Sequence, residues 1–226
     1  MRGAQNTQSG GVKYLSFMSG KFVERVDENT TGATPRELEK GKNAGTIVHE
    51  LHFDTYEGQI YNIETEAGDY GTRLHIFLDV STVEEPDAKV RLSLPLSSGP
   101  AKGFLGRLPK INFSKDVCLK GYHIKNENTG RYNSYLVPYQ EGQKLLSHYT
   151  KDEPNGLPRM QQIKVKGSLV WDDSEQLEFF EDLIKSFNYP GSTKQAPADF
   201  IPEADGEPAQ EIDVFDGPQK STKQAF

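Results

Sequence analysis

Residues 72–96 read TRLHIFLDVSTVEEPDAKVRLSLPL, and the alternation in this stretch decides the fold class. Leu74, Ile76, Leu78 and Val80 fall on one side of a two-residue period, with Arg73, His75, Phe77 and Asp79 on the other. Glu84–Asp87 forms a loop around Pro86, after which Lys89–Leu96 repeats the pattern. Val90, Leu92 and Leu94 point inward there, and Lys89, Arg91 and Ser93 outward. A period of two marks strands with one buried and one solvated face.

Working outward from this pair, Gly58–Glu66 (GQIYNIETE) reads as a preceding strand, separated by the turn Ala67–Gly71. On the other side, Gly99–Leu108 reads as a short helix with Phe104, Leu105 and Leu108 on one face, ended by Pro109. Val117–Lys125 and Tyr132–Gln140 are two further strands joined by Asn126–Gly130, a loop of turn residues. Three strands, a helix and two strands is the element order of an OB-fold, a five-stranded Greek-key barrel. An SH3-like barrel or a small sandwich gives similar alternation.

Strands are also expected at Tyr14–Met18, Lys21–Val26 and Thr46–Phe53, with a loop over 27–45 carrying Arg36, Lys40 and Lys42. Lys144–Tyr149 reads as a further strand and Gln162–Val170 as a last one. A helix over 172–188 follows, with acidic residues in its first turns and an apolar stripe of Leu177, Phe180, Leu183, Ile184 and Phe187. The predicted architecture is therefore mainly β: an OB-fold-like five-stranded Greek-key barrel with added N-terminal strands and a C-terminal amphipathic helix. Residues 1–12 form a flexible start, 13–190 the domain, and 191–226 a disordered acidic tail too poor in apolar residues to offset its ordering entropy.

Composition bounds the function. Cys118 is the one cysteine of 226 residues, which excludes an intrachain disulfide and a thiolate zinc cluster. The chain has no apolar run of membrane-spanning length, and its start lacks the apolar core of a signal peptide, so a soluble cytoplasmic protein is expected. The net charge of −7 argues at first against nucleic acid. Its distribution reverses the argument, because residues 171–226 hold thirteen acidic and only four basic side chains, leaving the first 170 residues slightly basic.

The segments Val48–Asp54 (VHELHFD), Asp69–Gly71 (DYG), Leu108–Ile111 (LPKI), Pro154–Pro158 (PNGLP) and Trp171–Asp173 (WDD) occur in this order before an amphipathic helix. In that order and spacing the chain resembles single-stranded DNA-binding proteins of tailed bacteriophages, particularly those of Bacteroidetes-like hosts. The resemblance covers residues 14–187. It implies an OB-fold that coats single strands during viral DNA replication and recombination, in the host cytoplasm. The acidic tail is similar in kind to tails of such proteins that recruit replication or recombination partners. Its counterparts here are Asp213, Phe215, Asp216 and the terminal Phe226, although Lys220 and Lys223 separate the acidic segment from that last ring.

Sequence-independent binding of a single strand needs cations along the phosphates and aromatic faces under the bases. Candidates are Arg73, His75 and Phe77 on one strand, Lys89 and Arg91 on the next, and Lys120, Tyr122 and Lys125 with Arg131, Tyr135 and Tyr139 on the last two. A half-buried strand tyrosine is more often a core or rim residue than a stacking platform. No enzyme is read from the chain and no cofactor. His49 and His52 lie three apart on a strand and so face opposite ways, which predicts no metal site. The acidic loop Glu84–Lys89 lacks the following acid-x-lysine strand of a nuclease. The competing reading is a non-enzymatic structural or cargo component of a virion, or another protein-interaction module; a DNA mimic would concentrate its acid on a rigid face.

Overall fold

The computed structural model describes residues 12–189, apart from 40, 42, 83, 84, 86, 128, 166, 167 and 188. The 191–226 tail, with its candidates Asp213, Phe215, Asp216 and Phe226, lies outside the described residues. The strands are β1 (Val12–Met18), β2 (Lys21–Val26), β3 (Thr34–Glu37), β4 (Ile47–Phe53), β5 (Thr55–Glu66), β6 (Arg73–Asp79) and β7 (Lys89–Pro95). After α1 (Gly99–Leu105) and a single 3-10 turn at Leu108–Lys110 come β8 (Val117–Lys125), β9 (Tyr132–Gln140) and β10 (Gln143–Lys144). A separate ribbon of β11 (Gln161–Val165) and β12 (Ser168–Asp172) precedes α2 (Ser174–Ser186). Among the described residues no helix is long and apolar enough to cross a membrane.

The protein is mainly β. Ten strands form one mixed sheet in the order β10-β9-β8-β5-β6-β7-β1-β2-β4-β3. Its pivot is β5, which pairs with β8 through Thr55–Gly58 and with β6 through Gln59–Glu66. Its two edges serve different partners in its two halves, and a bulge between Ile60 and Asn62 bends the second half. The expected closed barrel is corrected here: the outer edge of β7 is taken by β1, in parallel, so the sheet runs on through β2, β4 and β3 instead of closing. Both outermost strands are blunted, β10 by its two-residue length and β3 by Pro35.

One face of the sheet is the core. Leu74, Ile76 and Leu78 of β6 and Val90, Leu92 and Leu94 of β7 are buried there with Ile60 and Ile63 of β5. Phe104, Leu105 and Leu108 join the same cluster from α1 and the turn after it, as do Phe180 and Ile184 from α2. The first helix starts where it does because the Ser98 hydroxyl accepts from the Ala101 N–H (3.3 Å) and Pro100 needs no donor in the first turn. The second is held by an ion pair from Lys102 to Asp173 and by Gln176 Nε2 donating to the Pro158 carbonyl (2.8 Å).

Four local expectations change. The loop expected over 27–45 contains β3, because Glu50 is 1 % exposed and needs a cation. Arg36 of β3 supplies two bonds, Nε to Oε2 (2.8 Å) and a terminal nitrogen to Oε1 (2.7 Å). The strand expected at 144–149 shrinks to Gln143–Lys144, since the following backbone turns to bond the end of α1, with the His148 N–H donating to the Gly106 carbonyl (2.8 Å). The single strand expected at 162–170 is a two-stranded ribbon. Finally, α1 stops at Leu105, and Pro109 sits within the 3-10 turn.

Candidate nucleic-acid interface

The sheet face turned away from the core is built by the same alternation that builds the core. Register places Arg91 of β7 opposite Phe77 of β6 and, on its other side, opposite Tyr14 of β1. On β5 the bulge decides what is presented. Ile60 opposes Leu78 and Ile63 opposes Ile76, both facing inward, so two residues, Tyr61 and Asn62, occupy the outward interval beside Phe77. Alternation from the inward Ile60 sets the Tyr61 ring on the outer face, 5.9 Å from the Phe77 ring between centroids, and the bulge adds Asn62 beside it.

The result is a row of rings and cations across four strands. The Arg91 guanidinium lies between two rings, 5.9 Å from the centroid of Tyr14 and 5.7 Å from that of Phe77. Lys89 Nζ lies 5.3 Å from the centroid of Tyr61. Such contacts contribute about 0.5–1 kcal/mol each at accessible sites and, more usefully, fix the orientation of both partners. Tyr14 is 65 % exposed, while Phe77 and Tyr61 are half-buried at their edges.

Carboxylates balance the cations. Glu66 Oε2 accepts from Arg91 (2.7 Å) and from His75 Nε2 (3.0 Å), and the two bonds, that from Arg91 first, lower its pKa from the usual carboxylate value. Asp79 is pushed down to about 2, first by its bond from Lys89 and then by those from Ser81. Burial, followed by the charge of Arg91, lowers the His75 pKa below its ordinary value, against the opposing pull of its bond to Glu66. Arg73 bonds the Ser93 hydroxyl (2.8 Å). A phosphate reaching Arg91 must therefore displace Glu66. Glu66→Gln is expected to tighten oligo-dT binding by about two- to tenfold, since it removes a competing charge and keeps the shape; anisotropy titration reads this directly.

A second cluster sits on β8 and β9. Lys120, Tyr122 and Ile124 share a side with Tyr135, Val137 and Tyr139, and Tyr122 opposes Tyr135 in the register. The Tyr122 and Tyr139 hydroxyls bond each other (2.7 Å), which raises the Tyr139 pKa, and Lys120 Nζ lies 5.5 Å from the Tyr122 ring centroid. These tyrosines line an open cleft of about 390 Å³ with Gly103, Arg107 and Lys144. Register sets Lys120 opposite Thr55 and Cys118 opposite Glu57, so this cluster and the first lie on the same face, bridged by the outward residues of β5.

The structure brings Phe77, Lys89 and Arg91 into one row, sets Arg73 at its end, and groups Lys120, Tyr122, Tyr135 and Tyr139 in the other cluster. It separates the rest. His75, expected to be presented beside Arg73 and Phe77, is 2 % exposed and is corrected to a residue that positions Glu66. Lys125 projects to the opposite face, opposite Tyr132, where His123 and Tyr132 stack at 4.7 Å. Arg131 is exposed at the β8–β9 loop, its carbonyl accepting from the Asn126 N–H (2.7 Å). Two residues of the row, Tyr14 and Tyr61, are additions that sequence reasoning missed. Comparison with family models, with curated proteins and with solved structures finds no match.

Proposed function

We propose that the chain binds single-stranded DNA without sequence preference, on the face carrying Tyr14, Arg91, Phe77, Tyr61 and Lys89. The observation behind this reading is that row itself: rings alternate with cations across adjacent strands, on the side of the sheet that the core does not use. Bases stack on rings whatever their identity, and cations neutralise the phosphates between them. The five strands β9-β8-β5-β6-β7, with α1 between β7 and β8, have the order of an OB-fold opened at one seam, and we assign them to that family of folds. The role that follows is protection of single strands during viral DNA replication and recombination. The acidic tail over 191–226 competes with DNA for the cations and recruits partner proteins once displaced.

The test is fluorescence anisotropy of labelled oligo-dT against the full chain across a salt series, with duplex of equal length as the competitor. With Arg73, Lys89, Arg91 and Lys120 neutralising phosphates, the expected slope of log affinity against log salt is about −3 for a single strand. A form ending at Pro190 is expected to bind more tightly than the full chain. Equal affinity for duplex, or no binding at low salt, sinks the proposal. The internal pairing of Arg91 with Glu66 and of Lys89 with Asp79 favours the second reading, a protein-interaction or virion module, which that failure would leave standing.

A further inference from the structure

The ribbon of β11 and β12 is built differently from every other pair of strands. It has no ladder with the larger sheet among the described residues. Its side chains alternate, with Ile163, Val165 and Val170 on one face and Leu169 and Trp171 on the other, and both faces lie open. Leu169 is 67 % exposed, Trp171 41 % and Val170 40 %. Two isolated strands are marginal in water, and a third strand or a packed layer is what makes such a unit stable. Where the large sheet ends it is blunted by shortness or proline, whereas the ribbon's edge strands are five residues long and free of proline.

We infer that β12 pairs with β12 of a second copy of this chain, antiparallel about a two-fold axis at Val170. The argument for a second copy is self-complementarity. With Val170 opposite its own mate, Leu169 meets Trp171 of the other copy on one face, and Ser168 meets Asp172. No like charges face each other, and the two Val170 side chains touch on the other face. The same operation on β11 sets Gln161 against Val165 and Gln162 against Lys164, which buries amides and an ammonium against poor partners. The ribbon strands carry one Lys and one Asp, so nothing selects a strongly charged partner. Pairing makes a four-stranded sheet, β11-β12-β12-β11, in which each apolar face is twice as wide. The contact is small beside a standard interface of roughly 1,600 Å², so the dimer is a weak, reversible one.

The experiment is sedimentation of the full chain without DNA, over a concentration series reaching the high micromolar range. The expected result is a shift from the 25.3 kDa chain to a species of twice that mass. Trp171 is the chain's one tryptophan, so its emission reports the same event by moving to shorter wavelength as concentration rises. Val170→Lys places two ammonium groups at the axis and is expected to abolish both changes. Its thermal melt should match the wild type, since Val170 is 40 % exposed and stands outside the core cluster. Mixing Val170→Lys with Val170→Glu is expected to restore the doubled mass. A wild type that stays at the single-chain mass overturns the inference, as does a Val170→Lys form that still associates. Trp171 emission that answers to oligo-dT and not to protein concentration also overturns it, and hands the ribbon to nucleic acid. None of the sedimentation arms contains DNA, so their outcome is independent of the proposed function.

Discussion

Replacing Tyr14 and Phe77 together by alanine is expected to weaken oligo-dT binding by roughly 30-fold or more, at about 1–3 kcal/mol for each base that loses its ring. The two rings flank Arg91 at 5.9 and 5.7 Å, so their loss also removes what orients the guanidinium and leaves it to Glu66 alone. Coupling of this kind makes the double variant worse than the sum of the single ones. Stability should move little, because Tyr14 is mostly exposed and Phe77 lies on the face away from the core. The contrast is one residue away: Ile76 is fully buried, and Ile76→Ala is expected to cost about 2–5 kcal/mol of stability through the cavity it leaves. Anisotropy and thermal melts on the two variants separate a binding face from a structural one. A double variant that binds oligo-dT as the wild type does removes the row from the site.

How far the sequence carries this picture depends on the range of the interaction. Alternation assigns β6 and β7 residue by residue, so the inward Leu74, Ile76, Leu92 and Leu94 and the outward Phe77 and Arg91 are legible from the chain alone. The bulge leaves a trace in the sequence. Ile60 and Ile63 are three apart, an odd step that an unbroken strand with one buried face does not take, and that step sets Asn62 outward beside Tyr61. Tyr14 was legible as an outward residue beside the buried Leu15. Its neighbour was not, because the parallel pairing of β1 with β7 joins segments far apart in the chain and leaves no local period. The same long-range pairing is why element order suggested a closed barrel. Order fixes which strands exist and is silent on which strand takes a free edge. His75 misled for a different reason: its parity is outward, but the long side chains of Glu66 and Arg91 bond around it and cover it.

Gly121→Ala is expected to be the most damaging glycine-to-alanine change among the described residues, at roughly 3–5 kcal/mol. A Cβ at Gly121 would stand 2.0 Å from the Gly20 carbonyl oxygen and 2.9 Å from the Phe17 ring, and backbone cannot yield as a flexible side chain can. The contact is where the tip of the β1–β2 hairpin presses on β8. Gly20 shares the constraint, since its φ of +74° is a left-handed conformation and its own Cβ would lie 2.5 Å from the Tyr122 carbonyl carbon. Two glycines facing each other therefore let the hairpin approach β8 without a hydrogen-bonded ladder between them. The hairpin carries Tyr14 in β1, and Tyr122 belongs to the second cluster, so the added methyl pushes apart the elements that hold the two halves of the proposed face. Gly142→Ala provides the scale. Gly142 also has a left-handed φ, +77°, but nothing lies within 4 Å of its Cβ position, so only the backbone strain of about 1 kcal/mol applies. Denaturant melts of the two variants should differ by several-fold in lost stability. If Gly121→Ala costs no more than Gly142→Ala, the hairpin tip does not bear on β8, and the sheet is less tightly curled than this contact requires.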